Sequence, residues 1–414
     1  MHTVGGNLNG YHVLDVTTEP GFFAGKLLGD LGADVVKVES PAGDPARRRG
    51  PFVGGSPDPE ASAPWLALNT SKRGITLDLD HPRGREIFLR ACAQADAVIE
   101  SAAPSSATAL AARGFDYATL HARNPKLVLC SISPFGQNGP YAEYRGSDLT
   151  CVAMGGNMYP TGNRDRAPVR CTLPVSYYHG GIEAAVGVVF ALWAREITGE
   201  GQHVDVALQE VMVFPNMTSP AQFPLTGFKG GRAGGGFRGG QAVFHELWPC
   251  QDGYVSFALR GGPARIPGIV ALVQYMDENG MAPKILKQRD WSTYNHNLIS
   301  QAEVDAIEDA LGAFFKTKTM SELFTAACER KLLLAPADTA REIVGSRQLA
   351  AREFFIDLDH PHLGATLTFP GAFAKSSIGG IGVRRRAPRC GEHNAEFYGA
   401  LGLDPATLVA ERVI

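Results

Sequence analysis

The amino-acid sequence predicts an α/β protein, with a Rossmann-like large domain built on a parallel sheet and a smaller α+β domain. Three observations carry that expectation. Strand-like and helix-like segments alternate over the first half of the chain, a glycine-rich run at 226–241 interrupts them, and short strands and helices return towards the C-terminus. Residues 11–17 (YHVLDVT) read as a strand, 22–31 (FFAGKLLGDL) carry helical spacing that Gly32 ends, and 34–39 (DVVKVE) resume as a strand. The pattern repeats with a strand at 75–79, a helix from Pro82 to about Gln94, strands at 97–100 and 127–133, a long helix near 178–197, and a strand at 203–207. Pro82 at an early helical position, with Asp80 ahead of it as a candidate cap, gives the second helix a good start signal. Such alternation implies a mostly parallel sheet covered by helices on both faces.

The run TGFKGGRAGGGFRGGQ at 226–241 is too rich in glycine for a packed element and reads as a loop or linker at a domain boundary. Beyond it, 243–249 and 254–259 flank Gln251-Asp252-Gly253 as a hairpin, followed by helices at about 264–279, 302–316 and 319–330. The expected division is a large domain over 1–225, a small domain over 226–330, and a segment over 331–414 that returns to the large domain and holds a strand at 364–369.

Composition narrows the function. A chain of 414 residues, 44% hydrophobic and 20% charged, is long enough to bury about three quarters of its unfolded surface, which excludes a disordered chain or a small disulfide scaffold. Thirty-nine Lys and Arg against 42 Asp and Glu give a formal charge of −3. With no global basic field, nucleic acid and anionic membranes are poor partners and a small molecule is the better one. Seven scattered cysteines without a Cys-x-x-Cys pair suit a reducing compartment. Residues 1–10 are polar and glycine-rich and no apolar run approaches the length of a span, so the expectation is a cytoplasmic protein without a leader.

The first strand-helix-strand unit, ending on Glu39, raises the possibility of a dinucleotide site. The turn TTEPGFFAG supplies Gly21 and Gly25 but no Gly-x-Gly-x-x-Gly, so the close approach of backbone to pyrophosphate is not provided for. Arg47, Arg48 and Arg49, then Lys72 and Arg73, form basic patches in loops after sheet strands, where phosphates bind in doubly wound folds; solvated loops explain them equally well. Arg384 to Arg386 read as solvated surface. His360 and His362 alternate on a strand, but no third ligand stands at a helpful spacing, so no metal site is expected. Neither a Gly-x-Ser-x-Gly nor a His-Glu-x-x-His nor a Walker sequence is present.

Five segments carry a resemblance. GDLGADVVKVESPAGDPAR (29–47), LNTSKRGITLDLDHPRGREIFLR (68–90), NPKLVLCSISPFGQNGPYA (124–142), TGEGQHVDVALQE (198–210) and APRCGEHNAEFYGALGL (387–403) are similar, in order, to the motifs of the class III CoA-transferases. That family includes formyl-CoA transferase, carnitine CoA-transferase and α-methylacyl-CoA racemase. The resemblance implies a large domain made from both chain ends, a small middle domain, and two subunits threaded as interlocked rings. It implies CoA thioesters as substrates, with no resident cofactor or metal. Lys37 matches a basic CoA-contacting position, Arg47, Lys72 and Arg73 are the other candidate CoA contacts, and 234–240 (GGGFRGG) matches the loop that covers the site.

In the family an aspartate attacks the donor acyl-CoA, and CoA returns to give an aspartyl-CoA thioester that the acceptor acid resolves. Only a carboxylate can carry CoA in this way. The aspartate lies in a pattern like VADLAAGLYAALG; the equivalent stretch here is VSYYHGGIEAAVG (175–187), with Gly181 and Gly187 in register, and Tyr177 occupies the nucleophile's position. A phenol cannot replace the carboxylate, since displacing an acylated tyrosine with CoA only regenerates the donor. The racemase branch uses a Gly-His-Asp segment where this chain has Gly146-Ser147-Asp148, and the family's Glu-Asn-Phe-Arg-Pro-Gly loop is Glu100-Ser101-Ala102-Ala103-Pro104-Ser105 here, without its arginine. Glu183 lies about 240° around the helix from Tyr177, and Asp148 reads as a loop or helix-cap residue.

The resemblance is therefore to a subunit without its own nucleophile, similar to the E-type subunits of succinyl-CoA:(R)-benzylsuccinate CoA-transferases, whose partner is an Asp-bearing class III paralogue. Tyr177, Tyr178 and His179 then occupy a degenerate pocket or contact an aromatic acid. Two other readings stay open: a homomeric transferase using Asp148 or Glu183, and a non-catalytic CoA-binding protein.

Overall fold

Strand β1 (His12–Asp15) carries Val13 to one face of a sheet and Leu14 to the other, and both are buried. It leads into α1 (Phe22–Asp30) and β2 (Asp34–Glu39), as the spacing predicts. In chain order follow α2 (Ala63–Leu68), β3 (Lys72–Thr76), α3 (Pro82–Cys92), β4 (Ala97–Glu100), α4 (Tyr117–Arg123), β5 (Val128–Ser133), α5 (Asp148–Met154), α6 (Val175–Thr198) and β6 (His203–Ala207). This computed structural model describes residues 6–227 and 229–414. Residues 1–5, read above for a leader, and Phe228 of the glycine-rich run lie outside the described residues.

The six strands pair in parallel in the order β3-β2-β1-β4-β5-β6, so the chain reverses direction across the sheet between β1 and β4. Both faces are covered, which is why β4 and β5 are buried along their whole length. One face packs Ala24 and Leu28 of α1 and Ala184, Val188 and Leu192 of α6. The other packs Ile87 and Phe88 of α3, Leu120 of α4 and Tyr398 from the C-terminal segment.

Three local expectations need correction. The strand placed at 75–79 starts earlier, at Lys72, with Lys72 paired to Val35, because a buried carboxylate elsewhere neutralises a lysine that the apolar pattern would have kept out. The cap of α3 is the His81 ring, which accepts the Arg83 N–H, while Asp80 binds an arginine instead. Arg384 and Arg386 are not free surface. Arg384 donates to the Gly29 carbonyl and its backbone N–H to Ser71 Oγ, and Arg386 forms a two-pronged pair with Glu392. They strap the returning chain beside β3, an edge strand whose Gly74 and Thr76 N–H groups are taken by His393 and Asn394.

The described residues divide into two compact units. Among the described residues, one takes in those up to Asn157, Cys171–Leu225 and Ala350–Ile414; the other takes in Met158–Arg170 and the described residues from Thr226 to Leu349. The second unit thus runs past 330, because Leu334–Pro336 is the third strand of its sheet, antiparallel to Tyr254–Phe257, which also pairs with Leu247–Pro249. Part of the glycine-rich run, Gly236–Gly239, pairs with Ala242–His245, so the run is not wholly a loop and the hairpin expected from 243 begins at Leu247. Helices Ile266–Glu278, Gln301–Phe315 and Met320–Arg330 enclose that unit's own core around Trp248, Phe314 and Phe315.

Strand Phe355–His360 pairs with Ala365–Pro370. His360 at its end is inaccessible to solvent, and neither ring nitrogen has a partner among the described residues. Burial holds the imidazole below its ordinary value, with His362 adding to the effect. The folded protein therefore keeps this ring neutral where the unfolded chain takes up a proton, and stability is lost as pH falls through about 6.5. Chemical denaturation at pH 7.5 and 5.5 should show the loss, and His360→Phe should flatten it.

Helix α6 is long and apolar enough to meet the length and composition of a membrane span. Its buried face covers the sheet, as a core helix does. Its opposite face leaves Ile182, Val186, Phe190, Trp193 and Ile197 exposed at helical spacing, Phe190 and Trp193 at 63% each.

Candidate functional site

Helix α6 starts directly after Pro174, and Pro174 offers no side-chain cap. The free N–H groups of its first turn therefore need acceptors from elsewhere. Asp148, the first residue of α5, supplies one: its Oδ1 accepts the Ser176 N–H at 2.9 Å and the Ser176 hydroxyl at 2.8 Å. Tyr177 returns the contact, its hydroxyl oxygen accepting the Asp148 N–H at 3.1 Å. Each helix start thus holds the other.

Burial pushes the Tyr177 phenol above its ordinary value, although the hydrogen bond from Asp148 opposes the shift. A phenol held protonated at neutral pH is a poor nucleophile, and Tyr177 is half-buried with its hydroxyl oxygen taken by the start of α5. Asp148 is buried with its carboxylate committed to α6, and Glu183 is exposed further along that helix. Tyr178 stacks edge-on against Phe23, His179 is exposed, and Gly181 lets α6 approach α1, where a Cβ would lie 2.8 Å from that of Phe23. The field of Arg49 also opposes the shift at Tyr177, and Arg49 is itself paired to Glu19.

A cleft of about 310 Å³ opens at the carboxyl ends of β1, β2, β3 and β4, where the strand order reverses. Ligands of open α/β sheets bind at this position. Thr17 and Thr18 follow β1, Glu39 and Asp44 line the wall after β2, Asp78 and Asp80 follow β3, and Glu100 and Ser101 close the far side. Glu100 accepts from Leu110 N–H and Ser131 Oγ, and burial raises its carboxyl above the usual range.

The four cations expected to hold CoA are committed to internal partners. Lys37 is 1% exposed and its ammonium donates to the carbonyls of Asp15, Thr17 and Val38. Lys72 lies within β3, not in a loop, and donates to Asp15 Oδ2 at 2.7 Å, the Phe22 carbonyl and Asn69. Arg47 is 2% exposed, forks onto Glu39 at 2.6 and 2.7 Å, pairs with Glu60 and stacks on Trp65. Arg73, also within β3, pairs with Asp34 at the amino end of β2, away from the cleft. Sequence reasoning placed these residues by sign of charge; their partners, separated by up to hundreds of positions, come together only in the fold. It also passed over Asp15, although a carboxylate closing an otherwise apolar buried strand is itself a signal that a cation waits nearby.

The profile of CoA-transferase family III matches residues 8–394. The chain is 35% identical over 396 residues to the succinyl-CoA:(R)-benzylsuccinate CoA-transferase subunit BbsE of Thauera aromatica, covering 95% of this chain and 94% of that one. It is 30% identical to a formyl-CoA:oxalate CoA-transferase of Streptomyces avermitilis, with 96% of each covered. A crystal structure of a CaiB/BaiF family protein from Brucella suis superposes with a TM-score of 0.81 at 29% identity, covering 96% of this chain and all of that one. These likenesses run over nearly the whole length, and the chain belongs to CoA-transferase family III.

Proposed function

We propose that this chain is a subunit of a heteromeric class III CoA-transferase, moving CoA from succinyl-CoA to an aryl-substituted dicarboxylate such as (R)-benzylsuccinate, with an Asp-bearing paralogue carrying the thioester. The observation that supports this most is Tyr177 at the nucleophile's place, protonated and hydrogen-bonded to the Asp148 backbone. The two carboxylates considered as substitutes are a helix cap and a surface residue. The likeness to BbsE, named as a subunit, supports both the substrate class and the division of labour.

The exposed apolar face of α6 supports a paired assembly. With Phe23, Leu27 and Phe373 it lines a groove of about 370 Å³ without polar surface, suited to a second class III chain in an interlocked pair. In this reading the paralogue's aspartate performs both acyl transfers, and this chain completes and stabilises the assembly.

The test is transfer of CoA from succinyl-CoA to benzylsuccinate, followed by chromatography of the thioesters. The chain alone should be inactive, the paralogue alone weak, and the co-purified pair active. Turnover by this chain alone would replace the heteromer with a homomeric enzyme, and failure of the pair to form would favour a free-standing protein.

A further inference from the structure

Glu100 closes β4 and lines the cleft, yet its carboxyl is tied to groups on the strands beyond it. It stands opposite Ser131 across the β4 and β5 ladder, and Ser131 stands opposite Asp205 across β5 and β6. His203, two residues before Asp205, therefore projects from the same face of the sheet. The three side chains meet there, with Ser131 Oγ 2.8 Å from Glu100 Oε1 and 2.9 Å from His203 Nε2. Ser131 is inaccessible to solvent and Glu100 is 5% exposed, whereas His203 is exposed on the edge strand β6, its ring stacked on Tyr117 of α4. The other Glu100 oxygen accepts the Leu110 N–H at 2.9 Å. A hydroxyl has one hydrogen to give, and here it lies between two possible acceptors. When Glu100 is ionised, Ser131 donates to it and His203 donates to Ser131 from Nε2. When Glu100 is protonated on Oε1, it donates to Ser131, Ser131 donates to Nε2, and the neutral imidazole carries its proton on Nδ1. The charge of Glu100 and the tautomer of His203 are thus one variable.

We propose that Glu100, Ser131 and His203 form a proton relay, through which a proton taken from solvent at His203 neutralises the carboxylate in the cleft wall. The proton adds to Nδ1. The Nε2–H bond breaks as a Ser131 O–H bond forms, and the original Ser131 O–H bond breaks as the Glu100 Oε1–H bond forms. His203 ends neutral, and an anionic ligand in the cleft meets one carboxylate fewer as pH falls. Burial acts in the same direction, raising the Glu100 carboxyl and lowering the His203 imidazole, so the proton rests on the carboxyl. The groups facing His203 are Asp205 on its own strand, which favours uptake of the proton, and Tyr117, a phenol that burial keeps neutral. Behind Tyr117, the His121 ring packs on it and pairs with Glu200. Beside Glu100, the buried Cys130 thiol stays neutral. Across the cleft, Glu39 and Asp80 are answered by Arg47 and Arg113, Asp44 lies in the field of Lys37, and Asp78 accepts the Asp80 N–H. The relay lies within this chain's own sheet and stands whether or not a paralogue carries the thioester.

The experiment is NMR of the full-length chain, isotope-labelled at glutamate carboxyl carbons and histidine ring nitrogens, between about pH 5 and pH 8. Glu100→Gln and His203→Asn serve to assign the two signals. As the Glu100 carboxyl takes up its proton, Nε2–H at His203 should give way to Nδ1–H, the ratio of the two tautomers changing about tenfold for each pH unit, before imidazolium forms. Ser131→Ala should uncouple the pair, leaving His203 to charge as an ordinary exposed imidazole. Imidazolium forming at His203 of the unaltered chain while Glu100 stays ionised would overturn the proposal. So would a Glu100 that becomes protonated with the His203 tautomer unchanged, or a tautomer that still follows Glu100 in Ser131→Ala. The first two outcomes are read on the unaltered chain, so they decide the matter even if Ser131→Ala does not fold.

Discussion

Replacing Asp15 by asparagine is expected to cost the sheet-bearing unit about 3–5 kcal/mol, the range for breaking a buried ion pair by removing one partner. Asp15 is fully buried at the carboxyl end of β1, with Lys72 Nζ at 2.7 Å, Lys37 Nζ at 4.0 Å and the Thr17 N–H and hydroxyl on its other oxygen. Without the carboxylate, two buried ammonium groups have only neutral acceptors and the ring of Phe22, about 5.5 Å away, to replace water. Urea unfolding of the variant should show the loss. The double substitution Asp15→Leu with Lys72→Met, which strands one buried ammonium, Lys37, instead of two, should recover part of it. A single-variant loss below about 1 kcal/mol would show that the cluster is hydrated and not a sealed pair.

The same cluster sets a pH signature. Burial brings Lys72 down to about 8, against 10.5 for the ordinary ammonium. Between those two pH values the unfolded chain binds a proton the folded chain has released, so this group's contribution to unfolding free energy rises with pH. Asp15, held below its ordinary 3.8 chiefly by the two lysines against the cost of burial, acts at the other end: its contribution is lost as pH falls through the acid range.

The second large effect concerns chemistry. In the proposed heteromer, Tyr177→Phe should leave the rate of CoA transfer within about twofold, while replacing the proposed paralogue's aspartate by asparagine should lower it by about a thousandfold or more. Tyr177 loses only an acceptor for the Asp148 N–H, whereas in the proposed reading the aspartate carries CoA as its thioester. Tyr177→Asp should rescue the second variant only if CoA binds in this chain's own cleft. A thousandfold loss in Tyr177→Phe would instead make the phenol a participant.

Much of the fold was legible in the chain. The six parallel strands follow from period-two and fully apolar runs separated by helical spacing, and five of the six lie within two residues of where the pattern puts them. The exception, β3, was displaced because its first two residues are Lys72 and Arg73, and a sequence pattern keeps ionised residues outside. The candidate site was legible only as motif and absence. Tyr177, Asp148 and Glu183 could be numbered, but whether Asp148 was free to react depended on a helix start 28 positions away.

The sequence by itself therefore determined the fold class and the family and placed Tyr177 in the stretch 175–187, because periodicity, glycine placement and side-chain chemistry are local properties. Only the tertiary structure decided what each charge does. Lys37, Arg47 and Lys72 look alike as cations in a string of letters, yet their effect depends on which carboxylate lies within a few ångströms and how much water is excluded there, and both follow from segments brought together across the sheet.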